Sequence, residues 1–467
     1  MTHSNHRQGT YSNLSDDFVV LGFAARAFDD LQATLGQFKH IGFRHQPVNI
    51  PGIKSWHHLV YDSKEKVRDL LADLAVADLG ISITVSGLRD QAMECCQSVG
   101  LTPHTINQSL GFWGKTEQLP HFNVLEITTM CGHSRVSPNL VWELTGQVQQ
   151  HALNANEAAR KMGKLCLCNI FNEIRAAKVV KKLAADLEAG TIARPHPHDK
   201  VDTVPQKDFG ITIDETKCNG CMECIPYCSG SAIVESSSTG TAGIDAERCT
   251  ECGVCWQSRV CPVEAITAGE LTWPRTLRGK YHNMHSPYRA TPALARVSQP
   301  LDYTSEGKMF VNYSLPSELI NDVNAFYRHG YAGIVVELGR PHTGTTFRDL
   351  QKVTRILAPL GLQSDEMNPL TDLAAAAPKG IFRQDILDEK TGWVMLKLIV
   401  SEKEVSAVLW SLQQVAAEID TIFAVNVVSR VGEDGSIVAD RAASEIGVAP
   451  ACNCKTNVGL GRPLSNL

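Results

Sequence analysis

Cys218-Asn219-Gly220-Cys221-Met222-Glu223-Cys224-Ile225-Pro226-Tyr227-Cys228 sets four thiols at the spacing C-x2-C-x2-C-x3-C. The pattern returns as Cys249-Thr250-Glu251-Cys252-Gly253-Val254-Cys255, and five residues later comes Cys261-Pro262. An acidic residue on a short apolar stretch precedes each run, Ile213-Asp214 and Ile244-Asp245. Each run ends in a similar tail, Ser231-Ala232-Ile233 and Glu264-Ala265-Ile266. The chain holds 15 cysteines, an odd number, and most stand in tight groups. In a reducing compartment such grouping points to metal rather than to disulfides. Zinc also binds paired C-x2-C runs, but its four ligands usually come as two pairs, not as triplets with a distant fourth.

The duplicated motif resembles the bacterial two-cluster ferredoxin family, which implies two [4Fe–4S] clusters. Three thiolates on one tight loop can reach three irons of one cubane, and the fourth iron needs a ligand from elsewhere. In that family the fourth cysteine of each run ligates the other cluster. The resemblance therefore implies one cluster on Cys218, Cys221, Cys224 and Cys261, and another on Cys249, Cys252, Cys255 and Cys228. Two departures stand out: Ser229 replaces the usual proline, and the five residues Trp256 to Val260 replace the usual three. Neither removes a ligand. The longer loop changes solvent cover, which tunes potential.

Outward from this segment, the composition is that of an ordinary globular protein. Of 467 residues 43% are hydrophobic, and 44 basic against 50 acidic residues give a net charge of -6. The basic footprint that grips phosphates is missing, which speaks against nucleic acid. No apolar run is long enough to span a bilayer, so membrane insertion is not expected. Met1 to Asp17 is polar and lacks a signal peptide's apolar stretch, so a cytoplasmic location is expected.

The organisation reads as an α+β or α/β multidomain chain. Residues 1–189 form an N-terminal α/β domain with a helical extension. Phe18 to Phe23 and Ile81 to Val85 read as strands; Ser63 to Leu74, Arg89 to Val99, Pro138 to Gln150, Asn154 to Met162 and Asn172 to Ala189 read as helices. Residues 190–209, with Pro195, Pro197 and Pro205, read as a linker. The cluster domain spans 210–270, and 271–308 read as an irregular segment wrapping over it. Residues 309–467 form a C-terminal α/β domain. There a helix from Ser314 leads to a strand, Ala332 to Leu338, and a helix, Thr346 to Leu357. A second unit, Trp393 to Val400, Glu402 to Ile419 and Phe423 to Val431, is a strand–helix–strand. It resembles the ferredoxin-like sandwiches of regulatory amino-acid-binding domains.

Five cysteines stand in the N-terminal part: Cys95, Cys96, Cys131, Cys166 and Cys168. Cys131 belongs to Thr128-Thr129-Met130-Cys131-Gly132-His133-Ser134, between an apolar run and a helix that Ser137 can cap. A strand-to-helix junction there would lower the thiol's pKa and favour the thiolate. Cys96, Cys131, Cys166 and Cys168 are candidates for a third iron–sulfur cluster, and Cys131 and His133 for catalytic groups. The competing reading is cysteine packed as a small hydrophobe, preferred for Cys95. Cys452-Asn453-Cys454 reads as exposed or partner-facing. Gly111-Phe112-Trp113-Gly114 reads as a turn with a packed ring. Gly339 to Thr346 reads as a strand-to-helix connection with a threonine cap, and Arg340 as a residue able to hold an anion there.

These readings converge on an oxidoreductase or an electron-transfer subunit. It would pass single electrons through two clusters to the N-terminal cysteines or to a docked redox partner, and a small-molecule substrate is compatible with so long a chain. The alternative is a non-catalytic scaffold or maturation protein that supplies electrons to activate another enzyme. The chain as a whole resembles a group of dicluster proteins with an added Cys-Gly-His segment, here Cys131-Gly132-His133.

Overall fold

The computed structural model describes residues 6–23, 34–35, 37–38, 56–166, 169–195, 199–202, 204, 210–250, 252–268, 322, 328–360, 374–376 and 379–461. A short helix, α1 (Tyr11–Leu14), precedes β1 (Phe18–Phe23) and β2 (Trp56–Tyr61). The helix α2 (Lys64–Ala77) starts where Ser63 accepts from the Lys66 amide, and it buries Val67, Leu70, Leu71 and Leu74 at helical spacing. Then come β3 (Ser82–Leu88), α3 (Arg89–Ser98) and β4 (Thr105–Gly114). The Gly111–Gly114 segment is thus the end of a strand. Its Trp113 ring lies 6.0 Å from Phe423, and the indole N–H donates to the Leu110 carbonyl at 3.0 Å.

Four helices follow: α4 (Phe122–Thr128), α5 (Pro138–Gln149), α6 (Ala155–Gly163) and α7 (Glu173–Glu188). The last three match the sequence reading because each start is marked. Ser137, Asn154 and Asn172 accept from the amides of Leu140, Glu157 and Arg175. The cysteine-rich segment holds β5 (Lys200–Val201), β6 (Ile211–Ile213), β7 (Ile233–Ser236), β8 (Ala242–Ile244), α8 (Val254–Gln257) and β9 (Ile266–Ala268). Part of the expected linker is therefore strand: β5 runs parallel to β7. The expected wrapping segment 271–308 lies outside the described residues, and the helix expected from Ser314 largely so. The chain continues through β10 (Tyr331–Leu338), α9 (Phe347–Leu357), β11 (Val394–Ser401), α10 (Val405–Ala416), β12 (Ile422–Arg430), α11 (Val438–Glu445) and β13 (Asn453–Asn457).

The two expected α/β domains prove to be one sheet. Eight strands pair in the order β11-β10-β12-β4-β13-β3-β1-β2, with every neighbour antiparallel. The expected C-terminal strand–helix–strand is present, with β10 inserted between β11 and β12. The same arrangement recurs at the other end, where β1 lies between β2 and β3. The order reads alike from both edges, so β1–β4 and β10–β13 are equivalent modules. Each gives its last strand to the other: β4 pairs with β12, and β13 pairs with β3. That exchange is why no boundary separates an N-terminal domain from a C-terminal one.

Helices α2 and α3 pack on Phe18, Val20, Ile83 and Val85, while α9, α10 and α11 pack on Ile334, Val336, Val425 and Val427. Strand alternation puts both cores on one face. The opposite face carries Val19, Leu21, Phe23 and Val60 beneath α4–α7. Toward its middle this face is polar, with Asn107, Ser109, Asn426 and Lys455 all buried. The N-terminal segment lies across it. His6 bridges Ser109 and Asn426, each at 2.8 Å. Arg7 and Arg175 both meet the buried Asp17 carboxylate, and Arg175 reaches it at 2.7 Å. This fastens the segment to α7.

Candidate metal centre

The cysteine segment repeats in space as it does in sequence. The Cys218 amide donates to the Asp214 carbonyl at 3.0 Å, and the Cys249 amide to the Asp245 carbonyl at 3.0 Å. The residue after the second cysteine of each run takes a positive φ, +58° at Met222 and +66° at Gly253. So does the residue before each alanine of the tails, +49° at Ser231 and +51° at Glu264. These turns bend each run around a common centre.

The two runs are also crossed. Strand β6, which opens the first run, pairs with β9, which closes the second; β7 and β8 are the reciprocal pair. The Asp245 amide donates to the Ala232 carbonyl at 2.8 Å, again joining one run's start to the other's tail. As a result Cys261 lines one cavity with Cys218, Cys221 and Cys224. Cys228 stands with the other triplet. Burial pushes its thiol up to about 12, with Cys252 and Cys249 adding to the shift. Burial raises the Cys255 thiol well above its usual value, with Cys228, Cys252 and Cys249 again contributing. Burial likewise pushes the Cys224 thiol up to about 12, and Cys218, Cys221 and Cys261 add to that shift. Such thiols favour the neutral form until a cation binds.

Backbone amides point at three of these sulfurs. Ala232 donates to Cys228 Sγ at 3.1 Å, Ala265 to Cys261 Sγ at 3.2 Å and Ala242 to Cys218 Sγ at 3.4 Å. Among the described residues, no group of three or more His, Cys, Asp and Glu side chains is arranged to hold a metal ion.

The centre is lodged against the helical layer. The Ser137 hydroxyl, which caps α5, also donates to the Pro226 carbonyl. The Arg135 guanidinium meets Gln257 in the longer loop of the second run, and its Nε donates to the Leu165 carbonyl at 2.8 Å. The added loop residues thus serve as a docking point. The two sets differ in exposure. Cys221 is exposed and lines a surface cleft with Trp142, Glu143, Arg194, Met222 and Tyr227. Cys252, by contrast, packs against the core beneath α4–α7, of which Val254 is a member.

The N-terminal cysteines divide between the two sides of the sheet. Cys131 and Cys166 share the core beneath α4–α7, each 1% exposed, with their thiols in hydrogen-bond contact. Cys95 and Cys96 lie in the core of the opposite face. Cys96 is thereby removed from any set with Cys131, because the sheet stands between them. Its neighbours are Cys95 and Cys454. Cys168 lies outside the described residues. Cys131 follows the C-terminal end of α4 rather than a strand, and its amide donates to the Thr128 carbonyl at 3.2 Å. That helix end disfavours a thiolate. The thiol is raised well above its usual value, first by its contact with Cys166 and then by burial, against the expected lowering. His133 is half-buried beside it. Of the Cys452-Asn453-Cys454 segment, expected to be exposed or partner-facing, Cys454 is buried in β13 and Cys452 is exposed. Arg340 is 3% exposed, paired with Glu337 at 2.7 Å and stacked on Trp393, so its charge is matched within the fold. Thr346 does cap α9, accepting from the Asp349 amide at 3.2 Å.

Among the described residues no helix is long and apolar enough to cross a membrane. No family model, curated protein or solved structure matches the chain.

Proposed function

We propose that this chain is an iron–sulfur electron-transfer protein, with one [4Fe–4S] cluster on Cys218, Cys221, Cys224 and Cys261 and another on Cys228, Cys249, Cys252 and Cys255. The observation that carries the reading is the crossing of the two runs, which brings the fourth cysteine of each to the triplet of the other. Four thiols in each set suit iron–sulfur ligation. Bound, each cluster would take up and release one electron.

The chain's own residues then set direction and environment. The amides of Ala232, Ala242 and Ala265 would stabilise negative charge on the sulfurs they meet, which favours the reduced form. Cys221 brings the first set to the surface, where the cleft beside Arg194 and Tyr227 gives a redox partner access. Cys252 turns the second set toward the helical core and its thiols. Electrons would enter at the Cys221 side and leave toward Cys131 and Cys166. Anaerobic optical and EPR titration with a one-electron donor tests this. The reading requires bleaching of a broad visible band and a reduced-cluster EPR signal. A protein with neither is not an electron carrier of this kind.

A further inference from the structure

Among the described residues five buried cysteines lie outside the eight-cysteine centre, Cys95, Cys96, Cys131, Cys166 and Cys454, and Cys131 and Cys166 share the core next to it. Buried cysteine is often packing alone, as Cys95 shows in the opposite core. Two features set this pair apart. The first is contact: Cys131, past the end of α4, and Cys166, between α6 and α7, meet thiol to thiol. Direct thiol contact within one core is what a disulfide requires before the sulfurs close to about 2.05 Å. The second is a shared brace. The Arg135 amide donates to the Cys131 sulfur, its Nε holds the carbonyl of Leu165 beside Cys166, and its guanidinium grips Gln257, two residues past Cys255. One residue thereby ties both thiol loops to the loop of the inward-facing set.

We propose that Cys131 and Cys166 form a two-electron dithiol–disulfide couple that exchanges electrons with the adjacent iron–sulfur centre. This rests on the cluster reading given above. In the oxidising direction two S–H bonds break and one S–S bond forms. Two protons pass to solvent, and the two electrons would go one to each cluster held by the eight cysteines. In the reducing direction a one-electron carrier supplies two electrons in succession, the S–S bond breaks and two protons are taken up. Two one-electron centres hold as many electrons as one disulfide needs. The couple is a store inside the fold, since neither thiol reaches solvent.

The test uses the full chain, purified without oxygen and divided into oxidised and reduced samples. Each is denatured, alkylated and mapped by mass spectrometry, with iron counted in parallel. The proposal expects a peptide pair linked through Cys131 and Cys166 in the oxidised sample alone, at about eight irons per chain. Reductive titration of the oxidised protein should take about four electrons, falling to about two in Cys166→Ala with iron unchanged. Iron-replete wild type without the linked pair overturns the couple. So does a Cys166→Ala protein short of about four irons, because the pair would then be cluster ligands. Iron-poor wild type that still yields the linked pair overturns the cluster reading and leaves the thiol couple standing.

Discussion

The Asp214 amide donates to the Ala265 carbonyl at 2.9 Å, joining the beginning of the first cysteine run to the end of the second. That bond carries Cys261 across to the wrong run in sequence and the right one in space. Cys261 therefore lines one cavity with Cys221, and the cluster reading assigns both to one cubane. Removing both by Cys221→Ser and Cys261→Ser should cost about four irons per chain, whereas Cys221→Ser with Cys252→Ser should cost about eight. Equal losses from the two double variants would refute the crossing.

Ser137 does two jobs at the seam between the helical layer and the centre, capping α5 and donating to Pro226. Ser137→Ala should lower stability by about 1–2 kcal/mol through the lost cap and the carbonyl left unmatched. Urea unfolding followed by circular dichroism gives this value. A change within about 0.5 kcal/mol, as at an ordinary surface site, would show the seam to be unimportant.

Asp17 is buried between two arginines. Burial by itself would raise its carboxyl; Arg7 and then Arg175 outweigh this and hold it below the usual carboxylate range. Asp17→Asn leaves two guanidinium groups facing a neutral amide and should cost about 3–5 kcal/mol. Because the folded carboxyl is the stronger acid, the wild-type benefit is complete above the unfolded value of 3.8 and fades as pH falls through the lower folded one. Unfolding midpoints of both proteins should therefore converge in strong acid. A constant difference down to the lowest accessible pH would refute the assignment.

Two histidines act at milder acidity. Burial, with Arg430 second, lowers His104 to about 4, and burial lowers His342 to about 4 as well. Unfolded histidine protonates near 6.5, so between these values the unfolded chain binds more protons. Stability is then full above about 6.5 and declines toward pH 4. Urea midpoints at pH 7.5 and 5.0 should differ, and His104→Gln should shrink the difference. An unchanged pH slope in that variant would show that His104 is not its source.

The local elements of this fold were legible where a helix start was written in the sequence. Asn172 announces α7 and Ser137 announces α5, and both caps are formed. The long-range pairing was not legible. β13 spells Asn453-Cys454-Lys455-Thr456-Asn457, poor in the β-branched and aromatic residues that mark strands. Yet it sits in mid-sheet, where β3 and β4 supply partners on both sides and a polar buried face accepts its side chains. Because the apolar pattern fails there, the exchange of β4 and β13 between modules stays invisible to periodicity. The same gap explains Cys96. Its helix is legible in the sequence, but only the sheet's faces decide that Cys96 lies on the side away from Cys131. The crossing of the two cysteine sets is what the resemblance to two-cluster ferredoxins implies rather than something spacing alone contains, whereas the docking role of Gln257 depends on Arg135, distant in sequence.

Eight crossed cysteines that enclose two iron–sulfur cubanes must hold iron and sulfide in equal number. Iron and acid-labile sulfide, counted together on the full chain purified without oxygen, test this most directly. Two cubanes give about eight of each per chain. Colourless protein with little iron, or about two zinc ions per chain and no sulfide, would contradict the cubane assignment.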